Sequence, residues 1–236
     1  MRRIFGVGIL LAFFLSTMAL PAQATVIKSD TSGDLSATAS FELVGSTLTV
    51  ILTNISTADV VNPGQVLTAL FFDATGTLTP VSAFLTTGSV VLFDTAVTDV
   101  GGEWAYGAGL SGAPLGAGRG ISSAGFGLFG NANFVGPNLD DPLAIDGLNY
   151  GIVSAGDNPA IGNNKVTGME PLIQSSVTFT LTASGGFTEA SIDSVSFQYG
   201  TSLSDRTLVP EPGTVLLLGS GLVGVAAFGR RFRKQG

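Results

Sequence analysis

The chain of 236 residues contains no cysteine and no histidine. Disulfides, thiolate nucleophiles, lipid attachment through Cys, Cys- or His-ligated zinc and imidazole general bases are therefore excluded, and most familiar catalytic constellations go with them. Charge is also scarce, at 11% of residues against a usual quarter. Only ten Lys and Arg stand against seventeen Asp and Glu, and six of the ten lie at the ends of the chain. Between residues 25 and 209 only Lys28, Arg119, Lys165 and Arg206 face sixteen acids. A segment that acidic repels nucleic acid and anionic lipid alike, so no nucleic-acid partner is expected. Its solubility must rest largely on Ser, Thr and Asn.

The two ends are built differently. Arg2 and Arg3 precede an apolar stretch from Ile4 to Leu20, Pro21 breaks it, and Ala22-Gln23-Ala24 has the small-x-small pattern that signal peptidase accepts. These features predict a secretory signal over 1–24, cut after Ala24. The helix-breaking Pro fits a retained anchor less well. At the other end, Thr214 to Phe228 carries eight Val, Leu or Phe residues and no charge. Such a run supplies about -2 to -5 kcal/mol of insertion free energy. From Pro212 to Gly229 it makes a helix about 27 Å long, just short of the ~30 Å hydrocarbon core. Arg230, Arg231, Arg233 and Lys234 follow directly as a stop-transfer block, which keeps the tail cytoplasmic and everything between the two apolar segments outside. The run lacks the polar position every three or four residues of a soluble surface helix, which argues for a single transmembrane helix.

The stretch Val209-Pro210-Glu211-Pro212, followed by a short Gly-rich apolar helix and an Arg-rich end, resembles the PEP-CTERM protein-sorting signal of exported Gram-negative proteins. The resemblance implies that a membrane-embedded exosortase recognises Pro210, Glu211 and Pro212, cuts nearby and passes the ectodomain toward the cell surface. It also implies an extracellular-polysaccharide or biofilm setting. Independently of the resemblance, Pro210 and Pro212 forbid a regular helix around Glu211, so the chain there is expected to be extended and accessible, a property shared by a rigid juxtamembrane spacer.

Between the ends, Leu35 to Leu43 alternates with Leu35, Ala37, Ala39, Phe41 and Leu43 on one face. Val44-Gly45-Ser46 turns the chain, and Thr47 to Asn54 returns with Leu48, Val50 and Leu52 inward, which predicts an antiparallel hairpin. Further strands are expected over Val66–Phe72, Leu78–Leu85, Val90–Phe93, Ser176–Thr182 and Ser191–Tyr199. Nothing from Thr25 to Asp205 sustains a helical period. The expected fold is all-β, an antiparallel β-sandwich. Gly101 to Asn164 is dense in glycine, yet Trp104, Tyr106, Phe126, Phe129, Phe134 and Tyr150 are interleaved in it, so it is expected to form ordered excursions over one end or face of the sandwich. Here "GGEWAY", "ISSAGFGLFG" and "GLNYGIVSAGDN", with "VSFQYGT" near Tyr199, resemble marker segments of a recurrent type of PEP-CTERM ectodomain. That second resemblance implies no activity.

The chemistry on offer is thin. Asp140, Asp141 and Asp146, with Asp157-Asn158 beyond them, are hard oxygen ligands in a loop-rich region. Their spacing fits neither an EF-hand nor a Gly-rich nonapeptide repeat, and Asp and Asn also favour turns. Glu103 beside Trp104 and Tyr106 suggests a carboxylate next to a sugar-stacking platform, but a glycosidase needs a second, correctly spaced carboxylate that nothing nominates. The expectation is a non-enzymatic protein without a cofactor, in three parts: signal peptide 1–24, acidic sandwich 25–208 and sorting signal 209–236. The expected partners are signal peptidase and exosortase during export, the membrane through the tail, and exopolysaccharide afterwards. The expected role is that of a structural or adhesive surface protein, with a carbohydrate-binding module using Trp104 and Tyr106 as the alternative.

Overall fold

The computed structural model of the protein describes residues 25–130, 133–139, 147–162, 166 and 170–211. The signal segment with Ala22 and Ala24 lies outside these residues, as do the apolar tail from Pro212 onward and Asp140, Asp141 and Asp146. Among the described residues the strands are, in chain order, β1 (Thr25–Ser32), β2 (Leu35–Val44), β3 (Thr47–Asn54), β4 (Leu67–Asp73), β5 (Thr77–Leu85), β6 (Val90–Val91), β7 (Ala105–Ala108), β8 (Arg119–Ser122), β9 (Ile152–Val153), β10 (Ile173–Gln174), β11 (Ser176–Ser184), β12 (Asp193–Tyr199) and β13 (Thr207–Leu208). Among the described residues the helical elements with defined bounds are single 3-10 turns.

The strands form two sheets. The first has the order β1-β2-β3-β11-β5 and is antiparallel throughout. The second has the order β13-β12-β4-β9-β10-β6, with β8 also on β4 and β7 on β8. It departs from the expected antiparallel pattern only at the short parallel pair β9–β10. Alternation dictates the first sheet. Ala37, Ala39 and Phe41 of β2 and Leu48, Val50 and Leu52 of β3 are fully buried, while the Ser and Thr residues between them are partly exposed. The hairpin register Val44↔Thr47 leaves Gly45-Ser46 as the loop, and Gly45 takes the left-handed φ of +62° that such a turn requires. The sheets face each other across one core, in which Phe41 of β2 meets Phe72 of β4 edge-on at 5.6 Å between ring centroids.

Strand β4 explains the glycine-rich middle. Its near-continuous apolar run is buried on both faces, because Leu70 and Phe72 enter the main core while Ala69 and Phe71 face outward into a second cluster. That outer cluster is supplied by the glycine-rich chain itself, through Ala113, Ala117 and Phe129, with Phe126 and Leu128 beside them. Phe129 lies 5.9 Å from Phe71. The expected excursion over one face is therefore present, and part of it, β7 and β8, extends the second sheet. Gly107 and Gly120 sit opposite each other in the β7–β8 pair, and a Cβ on Gly120 would stand 2.8 Å from both Phe129 and Phe71 ring atoms. The two glycines make the slot in which the Phe129 ring lies. Gly120→Val is expected to destabilise the fold by about 1–3 kcal/mol through overpacking, read as a lower urea midpoint at unchanged slope.

Beyond β7 to β10 and β13, which the sequence pattern does not mark, other elements differ from it. β1 was not expected, and it is the half-exposed edge strand on which the described chain begins. The strand expected over Val90–Phe93 shrinks to Val90–Val91. β12 is buried on both faces, with Ser196 and Gln198 as fully enclosed as Phe197 and Tyr199.

Candidate functional site

Trp104 and Tyr106 do not form an exposed platform. Trp104 is completely buried, packed edge-on against Phe179 of β11 at 5.0 Å, and Phe134 completes the cluster at 5.3 Å from Phe179. Tyr106 is 5% exposed and burial pushes its hydroxyl up. Tyr150 is likewise enclosed in the main core. Trp104 and Tyr106 read as sugar-stacking candidates in the sequence because they stand beside the carboxylate of Glu103. The chain from Asn133 to Leu139 instead straps over them, with Phe134 N donating to Trp104 O at 2.9 Å and Gly102 N to Pro137 O at 3.1 Å. No ring face of Trp104 is open to a ligand. Glu103 belongs to the same strap: it is 3% exposed, and its Oε1 accepts from Leu139 N.

The part of the possible oxygen-ligand cluster that the structure describes is also engaged within the fold. Asp157 is buried, its Oδ1 accepts from Val60 N at 2.6 Å, and burial raises its carboxyl above the usual range. Asn158 N donates to Asp59 at 2.9 Å. Among the described residues no group of three or more acidic side chains is placed to hold a metal ion.

The remaining candidates, Pro210 and Glu211, leave the sandwich at one end, and the structure accounts for how they are held. Gln198 of β12 is fully buried and works as a polar hub. Its Nε2 donates to Tyr199 O and Ser202 O, both at 3.0 Å, and to Arg206 O at 3.3 Å, while its Oε1 accepts from Thr207 Oγ1 at 2.5 Å. These bonds fold residues 200–206 into a tight return and lay β13 on β12 with the register Phe197↔Leu208. Leu208 is 2% exposed and closes the core. Arg206 adds an ion pair to Asp34 at 2.9 Å. The Asp34 carboxyl is held below its usual range, mainly by the Gln65 amide at 2.8 Å and in smaller part by Arg206. A lowered carboxyl pKa makes this clamp complete at neutral pH and loses it only as pH falls through the lowered value.

Directly beyond Leu208 the chain emerges. Val209, 37% exposed, then Pro210 and Glu211 form one wall of a cleft of about 390 Å³. Its other walls are Lys28 of β1, the first residues of β12 from Asp193 to Val195, and Leu115. Glu211 is thus exposed and Pro210 partly so, and the motif starts one residue from the core with no linker between. Pro212 and the stop-transfer residues Arg230, Arg231, Arg233 and Lys234 lie outside the described residues. Among the described residues no helix is long and apolar enough to cross a membrane.

Comparison with known families bears on this segment. The family model of the PEP-CTERM protein-sorting motif matches residues 208–234, beginning at the last core residue, Leu208, and ending within the basic tail. The chain therefore carries a PEP-CTERM sorting signal, which supports an exported, exosortase-targeted surface protein whose precursor is held at a membrane. The match leaves the sandwich unassigned. No curated protein and no solved structure matches the chain significantly.

Proposed function

We propose that the sandwich is the mature part of a surface or matrix protein without catalytic activity of its own. In this reading signal peptidase frees Thr25, exosortase cuts near Pro210-Glu211-Pro212, and the acidic domain then serves a structural or adhesive role among exopolysaccharide chains. The observation that carries the proposal is the junction itself: the sorting motif begins where the core ends, so the cut leaves a complete sandwich with almost no tail. A compact mature product suits a component that packs into a matrix.

Binding through Trp104 and Tyr106 has no place in this proposal, because both rings are enclosed. Any polysaccharide contact falls to the outer face of the first sheet, where hydroxyl side chains such as Thr38, Ser40, Thr49, Thr53, Thr178 and Thr180 stand between the buried positions. The test is co-sedimentation of the released domain with exopolysaccharide purified from a host that sorts it. A saturable pelleted fraction is expected. Protein that stays wholly in the supernatant at every polysaccharide concentration would remove the matrix role and leave the sorting.

A further inference from the structure

The cleft beside the sorting motif combines features that usually occur apart. Two of the six non-glycine residues with left-handed φ among the described residues line it, Leu115 at +57° and Ser194 at +48°. Such conformations persist where the surrounding structure enforces them, and they cluster at functional surfaces. The β12–β4 register also slips between Asp193 and Ser196, which puts a bulge in the cleft wall. Leu115 is 56% exposed, an apolar side chain held at the rim in a strained turn. Opposite it stand Val209 and Pro210, with Lys28, Asp193 and Glu211 supplying the charge.

The chain leaves little slack at this point. Five residues separate the buried Leu208 from the apolar run that starts at Thr214. Fully extended, they reach at most about 22 Å. An enzyme embedded in the membrane that grips Pro210 and Glu211 must therefore meet the sandwich as well.

We propose that this cleft is a docking surface for the processing enzyme, so that recognition extends from the tail onto the folded domain. The proposal rests on the exosortase reading above. Leu115 and Val209, backed by the buried Val195, offer an apolar seat for a side chain of the enzyme, and the carboxylates Asp193 and Glu211 in the lining outweigh Lys28, so the complementary group on the enzyme is basic. Leu115 is a specificity-determining contact, and β13 is the clasp that keeps the motif in register with it.

Pulse-chase of the full-length precursor in a sorting-competent host tests this with three variants. Leu115→Asn removes the apolar contact with a residue that tolerates left-handed φ, so the fold is kept, which an unchanged melting temperature of the domain checks. A Gly-Ser insertion between Leu208 and Val209 leaves the sorting signal from Val209 onward unbroken but moves it off the cleft. Glu211→Ala reports on the sorting reading itself. Expected are a processing half-time lengthened about fivefold or more for Leu115→Asn and for the insertion, with Glu211→Ala blocked. Wild-type or faster processing of either of the first two, with Glu211→Ala still blocked, overturns the docking surface and leaves the sorting intact. Normal processing of Glu211→Ala overturns both.

Discussion

Replacing Trp104 by alanine is expected to cost about 3–5 kcal/mol of folding stability, measured as a lowered urea midpoint of the released domain. The ring, just before β7, is fully enclosed, its contact with Phe179 of β11 is edge-on at 5.0 Å, and Phe134 packs on Phe179 at 5.3 Å. Removing it takes away the largest side chain in the core and leaves a cavity that two neighbouring phenylalanines cannot fill. Trp104→Phe is expected to cost less than about 1.5 kcal/mol. Among the described residues the indole Nε1 has no hydrogen-bond partner, so within them a benzyl ring forfeits packing but no hydrogen bond. The pair of variants separates core from platform. A stacking residue on the surface would leave stability almost unchanged in both, and any glycan binding lost in Trp104→Ala has to be read against the unfolded fraction.

Gln198→Leu is the second large effect. The side chain is nearly isosteric and the site is already enclosed, so little is lost in packing. Three carbonyls, those of Tyr199, Ser202 and Arg206, lose the same amide donor, and Thr207 loses its acceptor. Some of these groups find water once the return loosens, so roughly 2–4 kcal/mol is expected rather than the full sum of unmet bonds. The loss should be local before it is global. Limited proteolysis between residues 200 and 208 is expected to accelerate at denaturant-free conditions where the β2–β3 hairpin still resists, since the return that leads into β13 loses the amide's bonds to Ser202, Arg206 and Thr207.

Which parts of the molecule were readable from the sequence follows from how many faces each element buries. β2 and β3 bury one face and wet the other, so period two is plain in "LSATASFEL" and "TLTVILTN". The run at Val66–Phe72 carried a signal of a different kind, because a strand apolar on both sides needs a layer on both sides. That second layer is the glycine-rich chain, and its strands β7 and β8 escaped notice because Gly107 and Gly120 occupy positions where a side chain would collide with Phe129. β1 was hidden by Lys28 and Asp30 on its more buried face, charges that also discourage edge-to-edge pairing.

At the site the division is similar. Pro210, Glu211 and the apolar, then basic, tail are contiguous, and a contiguous motif survives without a fold. The clasp and the cleft are not contiguous. Gln198, Arg206 with Asp34, and Leu115 and Lys28 beside Glu211 come together only through the sheet order, and no local pattern marks any of them. Trp104 and Tyr106 leave core and platform both open in the sequence for the same reason. Their neighbours in sequence are glycines, and their neighbours in space are Phe134, Phe179 and the sheet.

The most direct measurement is the intact mass of the protein recovered from envelope and medium of a sorting-competent host, for wild type and Glu211→Ala side by side. Sorting at the motif predicts a wild-type product that starts at Thr25 and ends close to Glu211, with the variant retained in the membrane at the larger mass. A wild-type protein that keeps its C-terminal tail through to Gly236, with a mass differing from the variant only by the substitution, would contradict it.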